Sequence, residues 1–123
     1  MTNKENVNFR SLFSSYKYRS RQKKYDFNLT LEEFELMTLS DCFYCGTAPM
    51  NLRNGAKHSS YKNKSDHLPY KYNGLDRVDN SKGYTKENAV SCCSICNTAK
   101  HQMSKNEFYT WIHRVYLKST LNL

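Results

Sequence analysis

The sequence predicts a small α+β domain in which helices at both ends flank a short polar core stapled by one metal ion. The metal is predicted by two C-x-x-C pairs, Cys42 with Cys45 and Cys93 with Cys96, because two thiolates at that spacing can chelate one ion. The helices are predicted by apolar residues that recur every three or four positions near both ends of the chain. Hydrophobic residues make up only 38% of the 123 residues, which is thin for an apolar core and makes a metal staple physically useful.

The overall charge indicates a polyanionic partner. Lys and Arg number 19 against 11 Asp and Glu, a formal net charge of +8, and nucleic acid is the first partner that such a small basic domain suggests. The same charge also serves solubility, so it decides little alone. No apolar run is long enough to span a bilayer, and the N-terminal run MTNKENVNFR lacks the apolar core of a signal peptide. We therefore expect one intracellular domain over residues 1–123, with no membrane partner and no export.

The first predicted helix lies within about residues 6–25 and has two distinct faces. Its apolar stripe follows the i, i+3, i+4, i+7 spacing of an amphipathic helix and consists of Phe9, Leu12, Phe13 and Tyr16. A second face beside the stripe carries only basic residues: Arg10, Lys17, Arg21 and Lys24. This face either lies along a nucleic-acid backbone or is simply solvated, and the uniform sign of its charge leaves both interpretations open.

The second predicted helix begins at a capping box. Thr30 and Glu33 have the Ser/Thr-x-x-Glu spacing in which each side chain bonds the backbone N–H of the other, and Leu29 and Phe34 have the spacing of a hydrophobic staple. The helix is expected to end near Ser40 and to deliver the chain to the first cysteine pair. The region 1–41 thus comprises a basic helix and a capped helix.

The stretch 47–73 is predicted to be a polar, irregular insertion between the two halves of the metal site. Basic residues outnumber acidic ones in it, and Tyr61, Tyr70 and Tyr72 are interleaved with them. Basic and aromatic side chains together can grip a nucleic-acid strand, but the same composition is typical of a connecting loop. Both interpretations stand, and the connecting loop is the simpler one.

The next stretch predicts a short strand, a turn and a helix. Leu75 and Val78 lie among polar residues in the run 74–79, which is compatible with a strand, and the cluster 80–83 is rich in turn-forming residues. A helix is expected to begin near Cys92 or Cys93.

The C-terminal helix is predicted over 104–118. It begins with a second capping box, formed by Ser104 and Glu107. It then has an apolar stripe at helical spacing that we expect to pack in the core: Phe108, Trp111, Ile112, Val115 and Tyr116.

We interpret Cys42, Cys45, Cys93 and Cys96 as one structural zinc site. Such a site is closed, so its ion holds the fold and does not catalyse, and chelation is expected to loosen the domain. A glycine directly after the first pair permits the tight turn of a zinc knuckle. The fifth cysteine, Cys92, is left out because pairing through it would break the C-x-x-C spacing, and we expect it to be a free, buried thiol.

Together these motifs carry a family resemblance. The order is C-x-x-C-G, then GLDRVDNSKGYTKENAV, then C-x-x-C-N-x-x-K. It resembles the HNH endonucleases, also known as ββα-metal or His-Me finger nucleases, and in particular their zinc-stapled branch common in phages and mobile elements. The resemblance covers about residues 42–100. It implies a core of two strands and a helix around one divalent cation, with the flanking helices as additions.

The resemblance implies specific roles for four residues. Asp76 lies at the position of the acidic metal ligand, and Asn97 at that of a second ligand carried by the helix. Both offer the hard oxygen atoms that Mg²⁺ or Mn²⁺ prefers. Asn88 matches the Asn that braces the loop between hairpin and helix. Lys100, one turn beyond Asn97, is expected to meet a phosphate of the nucleic acid.

Arg77 departs from the family pattern. It occupies the position where the family carries a His as general base, and a guanidinium stays protonated in proteins, so it cannot accept a proton from water. Arg77 is suited instead to bind the scissile phosphate through two parallel hydrogen bonds. The base then has to be His67, His101 or Asp79. Alternatively no protein base is needed, because a divalent ion lowers the pKa of a water that it binds.

Two functions remain open. The first is a metal-dependent endonuclease that hydrolyses phosphodiester bonds in double-stranded DNA, by nicking or double-strand cutting. It is favoured by the constellation of Asp76, Asn88 and Asn97. The second is a zinc-stapled module that binds nucleic acid without catalysis, and it is favoured by Arg77. A zinc-held protein adaptor fits the staple but not the charge. Binding of Mg²⁺ or Mn²⁺ in addition to zinc separates the first two functions.

Overall fold

Four helices and two two-stranded antiparallel sheets make up the part of the chain that the computed structural model describes, residues 9–53 and 69–122. In chain order they are α1 (Phe9–Gln22), α2 (Leu31–Thr38), β1 (Asn51–Arg53), β2 (Tyr70–Tyr72), β3 (Gly74–Arg77), β4 (Ala89–Cys92), α3 (Ser94–Lys100) and α4 (Lys105–Leu121). The predicted α+β class is confirmed. Among these described helices, none is both long and apolar enough to cross a membrane.

Both predicted capping boxes are present. Thr30 Oγ1 accepts a hydrogen bond from the backbone N–H of Glu33 at 3.1 Å, and the Glu33 carboxylate accepts one from the backbone N–H of Thr30 at 2.9 Å. Ser104 and Glu107 form the same reciprocal pair, with both bonds at 3.1 Å. Each pair satisfies two of the backbone donors that a helix start leaves without partners, which fixes where α2 and α4 begin.

The main apolar core forms where α1 and α2 pack on the β3–β4 hairpin. Its buried members come from α1, from the segment around the start of α2 and from both strands: Leu12, Leu29, Phe34, Leu75 and Ala89. Phe34 is completely buried. It meets Phe13 and Tyr16 edge-on, with ring centroids 5.4 Å apart in both pairs, an arrangement that aromatic rings favour. The apolar stripe predicted for α1 therefore faces the core.

The β3–β4 hairpin and α3 form a ββα unit. The strands pair antiparallel, with Asp76 opposite Val90, and residues 78–88 connect them. The helix starts directly after β4 with Cys93 as its N-cap, and the sulfur of Cys93 accepts a hydrogen bond from the backbone N–H of Cys96 at 3.4 Å. This is the core architecture that the order of the motifs implies.

The two described ends of the stretch predicted to be irregular pair with each other. Strands β1 and β2 are antiparallel, with Arg53 opposite Tyr70, and Tyr70 is buried against Phe9 of α1, with ring centroids 4.8 Å apart. The prediction of irregular structure is wrong for these residues. Strands this short are held by cross-strand and aromatic contacts, which leave no periodicity in the sequence. Residues 54–68, in the middle of the stretch, lie outside the described part of the chain.

Helix α4 has the predicted start and period, but Phe108 is the one residue of its predicted apolar stripe that is buried. Phe108 is only 2% exposed, and its ring lies 5.3 Å from that of Tyr44. The rest of the stripe is exposed: Trp111 at 37%, Ile112 at 41%, Val115 at 47% and Tyr116 at 61%. The prediction that this stripe lies in the core is therefore confirmed for Phe108 and wrong for the other four residues. Helical period shows that one side of a helix is apolar, but not that another element covers that side.

Candidate active site and metal centre

The four predicted metal ligands lie together at the start of α3. Their sulfur atoms are all within 4.8 Å of one another, and the sulfurs of Cys45 and Cys93 are 3.7 Å apart. Four thiolates around one zinc ion, each bound at about 2.3 Å, are separated by roughly 3.8 Å. The cluster therefore needs little movement to hold the ion, and the residues present fit a tetrahedral zinc site.

Backbone N–H groups prepare one of these thiols for metal binding. Burial disfavours ionisation of Cys42, but the N–H groups of Cys93, Cys45 and Tyr44 are directed at its sulfur and lower the pKa of the thiol from 9.0 to about 6. Burial, followed by the neighbouring sulfurs, raises the pKa of Cys96. Thiols that oppose one another's ionisation at this range are stabilised as thiolates when a divalent cation binds between them.

The first cysteine pair forms a knuckle that is attached to the ββα unit. Gly46 adopts a φ of +76°, which glycine tolerates and a residue with a β-carbon rarely does. Its N–H donates to the carbonyl of Cys42 at 2.8 Å, and the N–H of Phe43 donates to the carbonyl of Ser91 in β4 at 2.8 Å. The turn expected after the first pair is therefore present, and it is hydrogen-bonded to the strand that leads into the second pair.

Cys92 lies outside the metal cluster, as predicted. It is 1% exposed, and its sulfur donates to the carbonyl of Cys93 at 3.5 Å. Burial raises the pKa of the Cys92 thiol, so it stays protonated at neutral pH. The neighbouring Cys93 contributes the sulfur to the cluster instead.

Asp76 is a buried carboxylate held by two donors. Its Oδ2 atom accepts a hydrogen bond from the hydroxyl of Tyr44 at 2.6 Å and lies 3.0 Å from the ammonium of Lys100. Its Oδ1 atom lies 3.3 Å from the same ammonium. Burial, followed by the hydrogen bond to Asp76, raises the pKa of Tyr44, so the hydroxyl remains a donor. Because Tyr44 lies between Cys42 and Cys45, the turn that carries the first cysteine pair directly positions this carboxylate.

Lys100 points into the protein and not towards a surface phosphate. Its side chain is 0% exposed, and in addition to Asp76 it donates to the backbone carbonyl of Arg77 at 3.2 Å. The expectation that Lys100 meets a phosphate is therefore wrong, because its ammonium is buried and already bonded to Asp76 and to the carbonyl of Arg77. Burial of an ammonium is tolerated only when opposite charge and hydrogen-bond acceptors compensate it, and the sequence spacing alone could not tell which face of so short a helix is covered.

Arg77 is fixed by the loop that follows it. Its guanidinium lies 3.5 Å from the ring centroid of Tyr25, a cation–π contact. Its Nη1 atom donates to the carbonyls of Asn80 at 2.7 Å and Lys82 at 2.8 Å. A guanidinium has five N–H donors, and these two bonds use only those of Nη1. The guanidinium is also hydrogen-bonded to the hydroxyl of Tyr84, which partly offsets the rise that burial causes in the pKa of that tyrosine.

Asn88 braces the loop between β3 and β4. Its Oδ1 atom accepts a hydrogen bond from the N–H of Asp79 at 2.9 Å, and its Nδ2 atom donates to the carbonyls of Asp79 at 3.0 Å and Gly83 at 2.9 Å. The side chain is buried. This geometry agrees with the bracing role that the resemblance implies, and it places Asn88 behind the loop and not in the cleft.

A cleft of about 500 Å³ lies between α1 and the ββα unit. It brings together three of the predicted site residues, Asp76, Arg77 and Asn97, with the histidine His101. Asn97 is exposed, so its amide is accessible from the cleft. His101 ends α3 with a φ of +51°.

The other two candidate bases are placed differently. Asp79 is exposed, and its Oδ1 atom accepts hydrogen bonds from the N–H and the hydroxyl of Ser81 at 2.9 and 2.6 Å. These bonds lower the pKa of Asp79, which weakens it as a base, and it is absent from the cleft lining. His67 lies outside the described residues.

The basic residues of the cleft are not those of the predicted basic face. Arg10, Lys17, Arg21 and Lys24 are all exposed, and none of the four lines the cleft. Arg19 and Lys23 line it instead, and the Arg19 guanidinium lies 4.6 Å from the ring centroid of Tyr16. The sequence could have indicated this second basic pair, because Arg19 and Lys23 are four positions apart and therefore share a helical face, on the other side of the apolar stripe.

The cleft also offers oxygen atoms that could bind a hard divalent cation. A carboxylate has about four lone-pair positions, and among the described residues Oδ1 of Asp76 accepts a hydrogen bond only from Lys100, so a lone pair on Oδ1 remains. The amide oxygen of Asn97 belongs to the same cleft. Mg²⁺ and Mn²⁺ take such oxygen ligands and complete their shells with water and phosphate. The oxygen atoms of Asp76 and Asn97 are therefore of the chemical type that fits such an ion.

Comparison with a known structure identifies the fold. The chain is similar to the rare-cutting HNH restriction endonuclease PacI, with a TM-score of 0.56 and 23% sequence identity, over 82% of this chain and 71% of that one. At this level of identity the similarity concerns the fold alone. It confirms the predicted ββα architecture with flanking helices.

Comparison of sequences gives a viral relative. The uncharacterized protein R423 of Acanthamoeba polyphaga mimivirus is 32% identical over 96 residues, which cover 78% of this chain. The chain spans only 14% of the length of that protein, so the matching segment is a small part of a much longer polypeptide. No family model matches the chain.

Proposed function

We propose that this protein is a metal-dependent endonuclease that hydrolyses phosphodiester bonds in double-stranded DNA. The observation that carries the proposal is the cleft, in which the oxygen ligands of Asp76 and Asn97 lie beside the cations of Arg77, Arg19 and Lys23. A phosphodiester needs both kinds of group: cations to bind its charge and a site for the ion that assists cleavage. The structural similarity to an HNH restriction endonuclease supports the same function.

Each group in the cleft has a role in this proposal. Arg77 binds the scissile phosphate through its guanidinium and holds it in a fixed orientation, because Tyr25 and the loop carbonyls already immobilise that group. Asp76 and Asn97 hold the divalent ion, which when bound neutralises the charge that develops on the phosphate. His101, in the same cleft, accepts the proton of the attacking water, a task that a guanidinium cannot perform.

A plasmid-nicking assay tests the proposal. Supercoiled DNA is incubated with the zinc-loaded protein in EDTA, in Mg²⁺ and in Mn²⁺, and the same is done with an Asp76→Ala/Asn97→Ala variant. We expect nicked or linear product with Mg²⁺ or Mn²⁺ only, and none from the variant. The matched control is Glu87→Ala/Asn106→Ala, which removes an exposed carboxylate and an exposed amide outside the cleft and should cut normally. Cutting in EDTA, or by the variant, would contradict the proposal.

A second pair of variants tests where the DNA lies. Arg19→Ala/Lys23→Ala removes two cations of the cleft. Lys17→Ala/Arg21→Ala removes two cations of the predicted basic face of the first helix, which is called the outer face below. Each phosphate contact adds about 0.9 to the slope of log affinity against log salt concentration. If the DNA backbone follows the cleft, the first variant lowers this slope by about 1.8 and the second leaves it nearly unchanged. The reverse result would place the DNA on the outer face.

A specific observation favours a second function, binding of nucleic acid without catalysis. Arg77 stands where the resemblance implies a His, and two carbonyls and the ring of Tyr25 already hold it, as expected for a residue that supports the loop. In that case the protein binds DNA with a steep salt dependence but cuts no substrate in any metal.

The viral relative supports a viral setting for either function. That relative comes from a virus of an amoeba, and we propose that the present chain is likewise encoded by a phage or another virus and acts on DNA inside the host cell. Recovery of its gene within a viral genome tests this directly, and a gene within a cellular chromosome with no viral sequence around it would contradict it.

A further inference from the structure

Lys100 changes the charge of the site in which the divalent ion would bind. Its ammonium is 0% exposed and lies 3.0 and 3.3 Å from the two oxygens of Asp76. Asp76 is the only carboxylate among the described residues that line the cleft. The one negative charge that the protein offers to a cation is therefore already balanced by a fixed positive charge.

The other charges around the cleft have the same sign as Lys100. Arg19, Lys23 and Arg77 line it, so a cation that approaches Asp76 in the free protein meets a net positive environment. A DNA phosphate in the cleft reverses this, because each phosphate brings a negative charge and oxygen atoms that can themselves bind the ion.

From this geometry we propose that Lys100 makes binding of the divalent ion conditional on a phosphate group in the cleft, so that DNA binds first and the ion second. The proposal rests on the proposed nuclease function. In the free protein the ammonium offsets the attraction of Asp76 for the ion. In the complex the phosphate supplies the missing negative charge. The protein thus does not carry a loaded, water-activating ion while it is free of its substrate.

The ammonium cannot easily move away to make room for an ion. It is also bonded to the carbonyl of Arg77 at 3.2 Å, and the helix that carries it begins at the zinc ligand Cys93. The hydroxyl of Tyr44, from the zinc knuckle, holds the carboxylate on its other side at 2.6 Å. Both members of the ion pair are therefore anchored to the metal centre, and the charge balance is a fixed property of the fold.

The test is a titration of the zinc-loaded protein with Mn²⁺, in which the electron paramagnetic resonance signal of the free ion reports binding. It is carried out without DNA and with a short DNA duplex, and the Mn²⁺ bound by the duplex alone is subtracted. We expect the wild-type protein to bind Mn²⁺ at least about tenfold more tightly with the duplex than without it. Equal affinity in the two conditions would overturn the proposal.

A charge-removing variant isolates the contribution of Lys100. Lys100→Gln should raise the DNA-free affinity for Mn²⁺ by at least about tenfold, and the duplex should then add less than it adds in the wild type. Lys118→Gln, a change in an exposed lysine of α4, is the matched control and should behave as the wild type. A folded, zinc-loaded Lys100→Gln variant with unchanged DNA-free affinity would refute the proposal.

A measurement without any variant covers the case in which Lys100→Gln does not fold. Coupling is reciprocal, so Mn²⁺ must tighten duplex binding to the wild type by the same factor by which the duplex tightens Mn²⁺ binding. Failure of the nuclease and failure of this inference are also distinguishable. Nicking in Mn²⁺ with DNA-independent Mn²⁺ binding refutes only the role of Lys100, whereas DNA-dependent Mn²⁺ binding without any nicking refutes only the catalytic function.

Discussion

Removal of the Asn88 side chain should destabilise the protein strongly, although Asn88 lies outside both the cysteine cluster and the cleft. Asn88 makes three hydrogen bonds to the loop, at 2.9, 3.0 and 2.9 Å. At about 1 kcal/mol for each bond, Asn88→Ala should lower the free energy of unfolding by about 3 kcal/mol. The loss at Gly83 is the most certain part, because that bond is buried and water cannot replace it. The loss at Asp79 is smaller if water reaches the exposed side of the loop, which gives a lower bound of about 2 kcal/mol.

The assay is urea unfolding of the zinc-loaded protein, followed by circular dichroism. A loss of about 3 kcal/mol corresponds to a fall of roughly 10 °C in melting temperature for a chain of this size. Asn88→Asp is the sharper variant, because it keeps an acceptor for the N–H of Asp79 but turns a carboxylate oxygen towards the carbonyls of Asp79 and Gly83. It should be at least as unstable as Asn88→Ala. The control is Asn106→Ala, an exposed site in α4, where the change should stay within about 0.5 kcal/mol. A loss below the lower bound of about 2 kcal/mol for Asn88→Ala would refute the bracing role.

Three further changes test the metal centre and the packing. Cys92→Ser should keep the zinc and Cys93→Ser should lose it, because Cys93 contributes a sulfur to the cluster and Cys92 does not. Equal zinc content in the two purified variants, measured by mass spectrometry, would refute this assignment. Gly83→Ala should lower the free energy of unfolding by about 2 kcal/mol or more, because its β-carbon would meet the backbone that precedes α2 at less than contact distance; a melting temperature like that of the wild type would contradict it. Phe34→Ala, at a completely buried position, should cost about 3–5 kcal/mol in chemical unfolding, whereas Leu36→Ala, 65% exposed on the same helix, should cost almost nothing; similar losses at both sites would show that α2 does not bury the face described.

The features that the sequence predicts correctly are local ones. The capping boxes at Thr30 and Ser104 are formed within one helical turn, so residue spacing determines them. The cluster of four cysteines also follows from spacing, because each C-x-x-C pair can chelate an ion locally. The turn at Gly46 follows from its missing β-carbon. The ββα core was predicted through a resemblance of motifs in the right order.

The features that the sequence does not reveal depend on contacts between distant segments. Lys100 reads as a basic residue on a short helix, and only the packing of α3 against β3 shows that it is buried against Asp76. The bond from Tyr44 to Asp76 likewise joins a zinc knuckle to a strand. The apolar stripe of α4 around Trp111 is exposed, which the sequence also does not reveal. Periodicity shows that one side of a helix is apolar but not whether another element covers that side. The cleft cation Arg19 was missed because the more regular basic face lay elsewhere on the same helix.

Asn97 offers the most direct test that the cleft is a site of phosphodiester hydrolysis. Its side chain is exposed, so Asn97→Ala should leave the fold and the zinc site intact. The measurement is the single-turnover rate of cleavage of a labelled duplex in Mg²⁺, with DNA affinity determined on the same protein in EDTA, where the coupling to the divalent ion is absent. We predict that the rate falls by about 100-fold while the affinity for DNA changes by less than about threefold. An unchanged cleavage rate in a folded Asn97→Ala protein would contradict the assignment of this cleft as the active site.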